Sequence, residues 1–145
     1  MPCLSVSIQV YSRFGRTRHA LYIDDISRRI AHLTELTAKT EKARLNAQLS
    51  AILKDTTMKC SAIHNEIGRI AEGTALALDE KYSSQITTRI FHPFGHELIA
   101  AFGHVDCTHA LAGILAQRGF FNSVERRDWT DRATALLEAI RDRVN

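Results

Sequence analysis

Seven histidines and three cysteines make metal binding or nucleophilic catalysis the first possibilities to weigh in this sequence. His92 and His96 are four residues apart, with Glu97 next. His104, Asp106, Cys107 and His109 crowd into one or two helical turns. Two histidines at i and i+4 on one helix face can hold zinc through their ring nitrogens. Pro93 and Gly95 fall between His92 and His96, however, where a helix is only beginning. Neither an HExxH motif nor a paired CxxC motif is present. Histidines near an arginine-rich surface are more often solvated or capping groups, so no metal is expected and no cofactor is required.

Arg13 or Arg16 with His19 resembles the arginine–histidine spacing of helical ribonucleases. There the histidine acts on a 2′-hydroxyl and the arginine steadies the phosphate. Here the group follows a strand pattern and contains Gly15, which fits that chemistry poorly. No Gly-rich phosphate loop, nucleophile elbow or carboxylate pair is present, so the chain is not read as an enzyme. Cys60 and Cys107 lie on apolar stripes, where inert core thiols are the default.

The elements that must carry these residues follow from length and periodicity. A chain of 145 residues, 45% hydrophobic and 24% charged, has room for one folded core. Unbroken apolar runs reach four or five residues, such as Ala75 to Leu78, so no membrane-spanning helix is expected. Met1 to Ser5 lacks the pattern of a secretory signal. Three widely spaced cysteines do not read as a disulfide framework and point to a reducing cytosol. The net charge is +3, from 19 basic and 16 acidic residues. Eight of the basic residues and four of the acidic ones fall at or before Arg44, and no acid precedes Asp24. Positive charge gathered at one end is compatible with nucleic acid.

Leu4 to Ser12 alternates strictly, with Leu4, Val6, Ile8 and Val10 apolar and Ser5, Ser7, Gln9 and Tyr11 between them. That is a strand, followed by a basic tail of Arg13, Arg16 and Arg18 around Gly15. From about Asp24, Ile23, Ile26, Ile30 and Leu33 recur at three and four, which predicts an amphipathic helix with Asp24 or Asp25 in its first turn. A longer helix is predicted from about Thr40 to Leu78, with a bend or break at Asp55-Thr56-Thr57. Ser84 to Phe91 alternates again, Ile86, Thr88 and Ile90 against Gln85, Thr87 and Arg89. A helix beginning near Pro93 then stops at Gly119. Asn122 or Ser123 caps a final helix, without a full capping box because Arg126 stands three after Ser123. The two halves have the same order of elements, but no residue-level repeat at a fixed period is evident, so any duplication would be structural only.

A lone strand leaves both edges unpaired, so the two strands are expected to pair as an antiparallel ribbon on a bed of helices. Its outer face would carry Ser5, Ser7, Gln9, Gln85, Thr87 and Arg89. The major groove of B-DNA admits such a ribbon. Glutamine suits adenine edges and arginine suits guanine, so these six residues are the base-contact candidates. Arg13, Arg16 and Arg18 are the phosphate candidates. Polar residues on half-exposed strands more commonly meet only water.

The pieces Ser5-Val6-Ser7-Ile8-Gln9-Val10-Tyr11-Ser12-Arg13, Thr87-Thr88-Arg89-Ile90-Phe91-His92-Pro93-Phe94-Gly95 and Val105-Asp106, with the Gly119-Phe120 turn and the basic last helix, resemble the AcaB-like regulators. These are encoded on conjugative plasmids and integrating conjugative elements. The resemblance implies a fold similar to ribbon-helix-helix proteins and a DNA-binding transcriptional regulator, often of transfer genes.

The expected protein is thus a single α+β domain over residues 1–145, mostly helical, in the order β-α-α-β-α-α, with a two-stranded antiparallel ribbon packed on helices. Its expected partner is double-stranded DNA, bound as a homodimer or higher homo-oligomer in the cytoplasm, away from membranes. The rival reading is a helical protein-interaction module, antitoxin- or inhibitor-like, marked by an exposed apolar patch on the long helix. A helical ribonuclease stands behind it.

Overall fold

The two alternating segments pair with each other within one chain. In the computed structural model, which describes residues 2–145, β1 (Leu4–Val10) and β2 (Ser84–Ile90) form a two-stranded antiparallel sheet. The register sets Ser5 opposite Arg89, Ser7 opposite Thr87 and Gln9 opposite Gln85. These six side chains are exposed, whereas Val10, Thr88 and Ile90 are buried and Val6, Ile8 and Ile86 half-buried. Leu4 departs from its stripe and is 55% exposed, at the end of the strand.

The segment after β1 corrects the expectation of a basic tail. The chain turns at Ser12, whose hydroxyl accepts from the Gly15 N–H at 2.9 Å and caps α1 (Arg13–His19). A π-helical segment (Ala20–Asp24) and α2 (Asp25–Leu36) continue the same helical path. Arg13, Arg16 and Arg18 therefore stand on a helix. Gly15 and the lack of an acid in the first turn hid its start. Of the two first-turn candidates Asp25 takes that place in α2, and Asp24 does not. Asp24 is buried mid-helix and accepts from the Thr88 hydroxyl and from the Arg89 N–H at 3.0 Å.

Helix α3 (Lys42–Gly73) is unbroken at Asp55-Thr56-Thr57. The Thr57 hydroxyl bonds back to the Leu53 carbonyl at 2.8 Å, which satisfies it inside the helix. A short 3₁₀ turn (Glu80–Tyr82) leads into β2. Helix α4 (Gly95–Gln117) is followed by Arg118 and by Gly119, whose φ of +83° suits glycine after a helix C-terminus. Helix α5 (Ser123–Val144) does have a full capping box, in a frame one residue earlier than the sequence pattern suggested. Asn122 accepts from the Glu125 N–H at 2.8 Å, and Glu125 accepts from the Asn122 N–H at 3.1 Å.

Helix α4 is the central element and packs on α1, α3 and α5. Its length and composition would let it cross a membrane, which a search for unbroken apolar runs misses because Glu97, Asp106 and the histidines interrupt it. Half of that apolar stretch is buried inside the protein. Phe102, Leu98 and Val105 meet Ile23, Ile26 and Ile30 in the main core, which also receives Leu53, Leu137 and Ile140. A smaller cluster joins Ile67, Leu111 and Leu115, with Phe121 and Trp129 partly buried against it. The fold is therefore mostly helical with a two-stranded antiparallel sheet.

The register also exposes a repeat that inspection of the sequence did not find. Ser7 faces Thr87 at the middle of the ribbon, and the dipeptide Phe14-Gly15 recurs as Phe94-Gly95 at the same separation. Both glycines open helices against their own strands. A Cβ on Gly15 would lie 2.8 Å from the Val10 Cβ, and one on Gly95 would lie 2.5 Å from the Ile90 Cβ. Only glycine permits these approaches.

Candidate nucleic-acid interface

The outer face of the ribbon is a polar surface whose groups bond to one another. The Ser7 hydroxyl donates to Gln85 Oε1 at 2.9 Å, and Gln9 Nε2 donates to Ser83 Oγ at 2.6 Å. Gln85 keeps its Nε2 donors, and Gln9 keeps its Oε1 acceptor. Arg89 is tethered through Nε to Asp24 Oδ2 at 3.4 Å, which leaves its terminal nitrogens free to donate. Its guanidinium lies 5.8 Å from the Phe91 ring centre, and Arg28 lies 4.6 Å from the same ring. Ser5 and Thr87 complete the exposed set. All six base-contact candidates thus share one face.

The phosphate candidates do not lie on the ribbon. Arg13 and Arg18 line adjoining clefts where α1 meets α4 and α5, and Arg16 is exposed on the same helix. The larger cleft has a volume of ≈ 690 Å³. Arg126, which sequence inspection did not single out, lines both clefts and lies 3.4 Å from where a Cβ on Gly113 would be. No acidic side chain lines either cleft among the described residues.

Two carboxylates hold the ribbon to the helices. Asp106 on α4 accepts from the Tyr11 N–H at 2.8 Å, the Ser12 N–H at 3.0 Å and the Ser12 hydroxyl at 2.5 Å. Burial pushes its carboxyl up, against these three donors and Arg16, which pull it down. Asp24 holds β2 separately, accepting from the Thr88 hydroxyl and the Arg89 N–H. Sequence spacing gave no sign of either function, because both partners are far away along the chain.

The histidines separate. His92 Nδ1 accepts from the Phe94 N–H at 3.1 Å, in the turn before α4. His104 pairs with His64 of α3, ring nitrogen to ring nitrogen at 2.8 Å, and burial pushes both below their usual range. Among the described residues no three metal-ligating side chains come together. His19 sits on helix α1 with Arg16, and its Nδ1 is buried without a partner. Burial raises the Cys60 and Cys107 thiols to about 12, with Asp106 adding to the effect on Cys107.

His109 stacks on Phe14 with ring centres 4.1 Å apart, and its Nε2 meets the Thr134 hydroxyl at 2.8 Å. Burial, aided by Arg126 and opposed by Asp131, lowers it to about 4. The folded protein therefore favours the neutral ring. Its contribution to stability is complete above pH ~6.5 and is lost as pH falls toward about 4, up to ~3 kcal/mol. Urea unfolding at neutral and acidic pH should show this loss in the wild type and a correspondingly smaller one in His109→Gln. Equal losses in both proteins would remove His109 as the source.

The architecture defines a helical α+β protein whose exposed ribbon is backed by helices. Its fold is similar to that in the crystal structure of selenomethionine-containing AcaB from uropathogenic E. coli, with a TM-score of 0.62 and 14% identity over 99% of this chain and 77% of that one. No protein-family model matches the sequence, and no curated protein matches it.

Proposed function

We propose that the chain is a sequence-specific DNA-binding protein used in transcriptional control, reading the major groove with the outer face of its ribbon. The observation that carries this reading is the shared exposed face of Ser5, Ser7, Gln9, Gln85, Thr87 and Arg89 on two paired strands. Two strands fit a groove about 12 Å wide. Gln9 and Gln85 pair with adenine edges, Arg89 with guanine, and the short Ser5, Ser7 and Thr87 allow close approach. Arg13, Arg16 and Arg18 hold phosphates, joined by Arg126 at the cleft.

The plan is ribbon-helix-helix-like, the fold is similar to that of AcaB, and the resemblance of the sequence to AcaB-like regulators suggests the control of conjugative-transfer or mobile-element genes in the cytoplasm. The chain binds rather than catalyses, and it uses no cofactor. Its ribbon closes within one chain. Association into a homodimer or higher homo-oligomer therefore adds phosphate contacts rather than completing the ribbon.

Salt titration of duplex binding tests the clamps. Arg16→Ala should weaken binding to all duplexes alike and flatten the slope of log K against log salt by roughly one unit. A loss that depends on sequence would make Arg16 a base reader. Absence of salt-dependent duplex binding by the wild type would reject the DNA reading.

A further inference from the structure

We infer that one chain carries both halves of a two-fold reading head, and that the duplex subsite it takes is non-palindromic. This rests on the ribbon reading given above. The register centres on Ser7 and Thr87, so a half-turn about that point lays residue n of β1 on residue n + 80 of β2. The match continues past the strands. Val10 falls on Ile90, Tyr11 on Phe91, Phe14 on Phe94 and Gly15 on Gly95.

One of the bonds that tie the ribbon to the helices obeys the same symmetry. A π turn takes about one residue more than an α turn, so beyond Ala20–Asp24 the match becomes n + 79 and Ser27 falls on Asp106. Asp106 Oδ2 accepts from the Tyr11 N–H at 2.8 Å, and Ser27 Oγ accepts from the Phe91 N–H at 3.2 Å. The corresponding N–H groups of Tyr11 and Phe91 thus meet side chains at corresponding helical positions. Two-fold heads are commonly built from two identical chains, whose symmetry a palindromic site mirrors.

The reading positions are where the two halves differ. Ser7 matches Thr87, a small hydroxyl on each side. Ser5 matches Gln85, and Gln9 matches Arg89. Amide against guanidinium means an adenine preference at one end of the subsite and a guanine preference at the other. Arg89 also has the Asp24 carboxylate at 3.4 Å to hold it, whereas the residue at the corresponding helical position of α4 is Gly103 or His104. One end of the subsite is consequently read by a braced cation and the other by an uncharged amide.

Selection of random duplex DNA by the intact chain, followed by native mass spectrometry on the shortest duplex that retains binding, tests the inference. A non-palindromic sequence under each bound chain is the expected result. Gln9→Arg should then shift the preference at one end from adenine toward guanine by about tenfold and make the motif more symmetric. A wild-type sequence that is itself palindromic under each single chain, or a Gln9→Arg motif identical to wild type, would overturn the inference while leaving DNA binding in place. Selection of no duplex by the wild type would overturn the function on which it rests as well.

Discussion

Gly15→Ala should cost the protein about 3 kcal/mol or more of its stability. The added Cβ would lie 2.2 Å from Asp106 Oδ1 and 2.8 Å from the Val10 Cβ. Neither neighbour can yield freely. Val10 is buried at the end of β1, and Asp106 is fixed by three donors from Tyr11 and Ser12. Relief requires α1 to lift away from α4 or the carboxylate to swing out, and the second route leaves buried N–H groups unpaired. Typical domains have only about 5–15 kcal/mol to lose. Gly68 supplies the control. Its Cβ position in α3 is open, so Gly68→Ala should raise stability by about 0.5–1 kcal/mol through helix propensity. Urea unfolding of both variants measures the contrast. A Gly15→Ala midpoint equal to wild type would mean that α1 and α4 do not meet as described.

Replacing Gln9, Gln85 and Arg89 together by alanine should abolish discrimination among duplexes while leaving the fold intact. Each good side-chain pair with a base is worth roughly 1–3 kcal/mol, so the combined loss of affinity for a preferred site is on the order of a hundredfold or more. Binding to unrelated duplexes should change little, because the arginines of α1 remain. The unfolding midpoint should stay near wild type. The three side chains are exposed, and the ion pair of Arg89 with Asp24 joins a half-exposed cation, worth under ~1 kcal/mol. Asp24 also keeps the Thr88 hydroxyl and the main-chain N–H of residue 89 as donors. Retained discrimination in the triple variant would move sequence reading off the ribbon. Lost binding accompanied by a lowered midpoint would mark the three residues as structural.

Much of the ribbon was legible because a strand's period of two is written directly in its residues. Ser5, Ser7 and Gln9 alternate with Val6, Ile8 and Val10, and burial follows that alternation. The apolar stripe of Ile23, Ile26 and Ile30 likewise found its core. Helix starts were less legible, since caps act through single hydrogen bonds. Ser12 looked like the last strand residue, and Gly15 looked like a break, although a glycine in a first turn is tolerated where close packing demands it. Of Asp24 and Asp25, both offered by spacing for a first turn, Asp25 is there and Asp24 instead satisfies β2 from the middle of a helix. Asp106, His109 and Arg126 owe their roles to contacts between segments far apart in the chain, which local pattern does not encode. The repeat escaped notice for a similar reason. Its halves share a handful of residues, and the π turn shifts the match by one.

Nuclear magnetic resonance of the intact chain titrated with duplex DNA reports most directly on which surface touches the bases. The side-chain amides of Gln9 and Gln85 and the backbone signals of Ser5, Ser7, Thr87 and Arg89 should move together, with smaller shifts along α1. Shifts confined to α3, around the 72%-exposed Met58, with the signals of both strands unchanged, would contradict a ribbon that reads DNA.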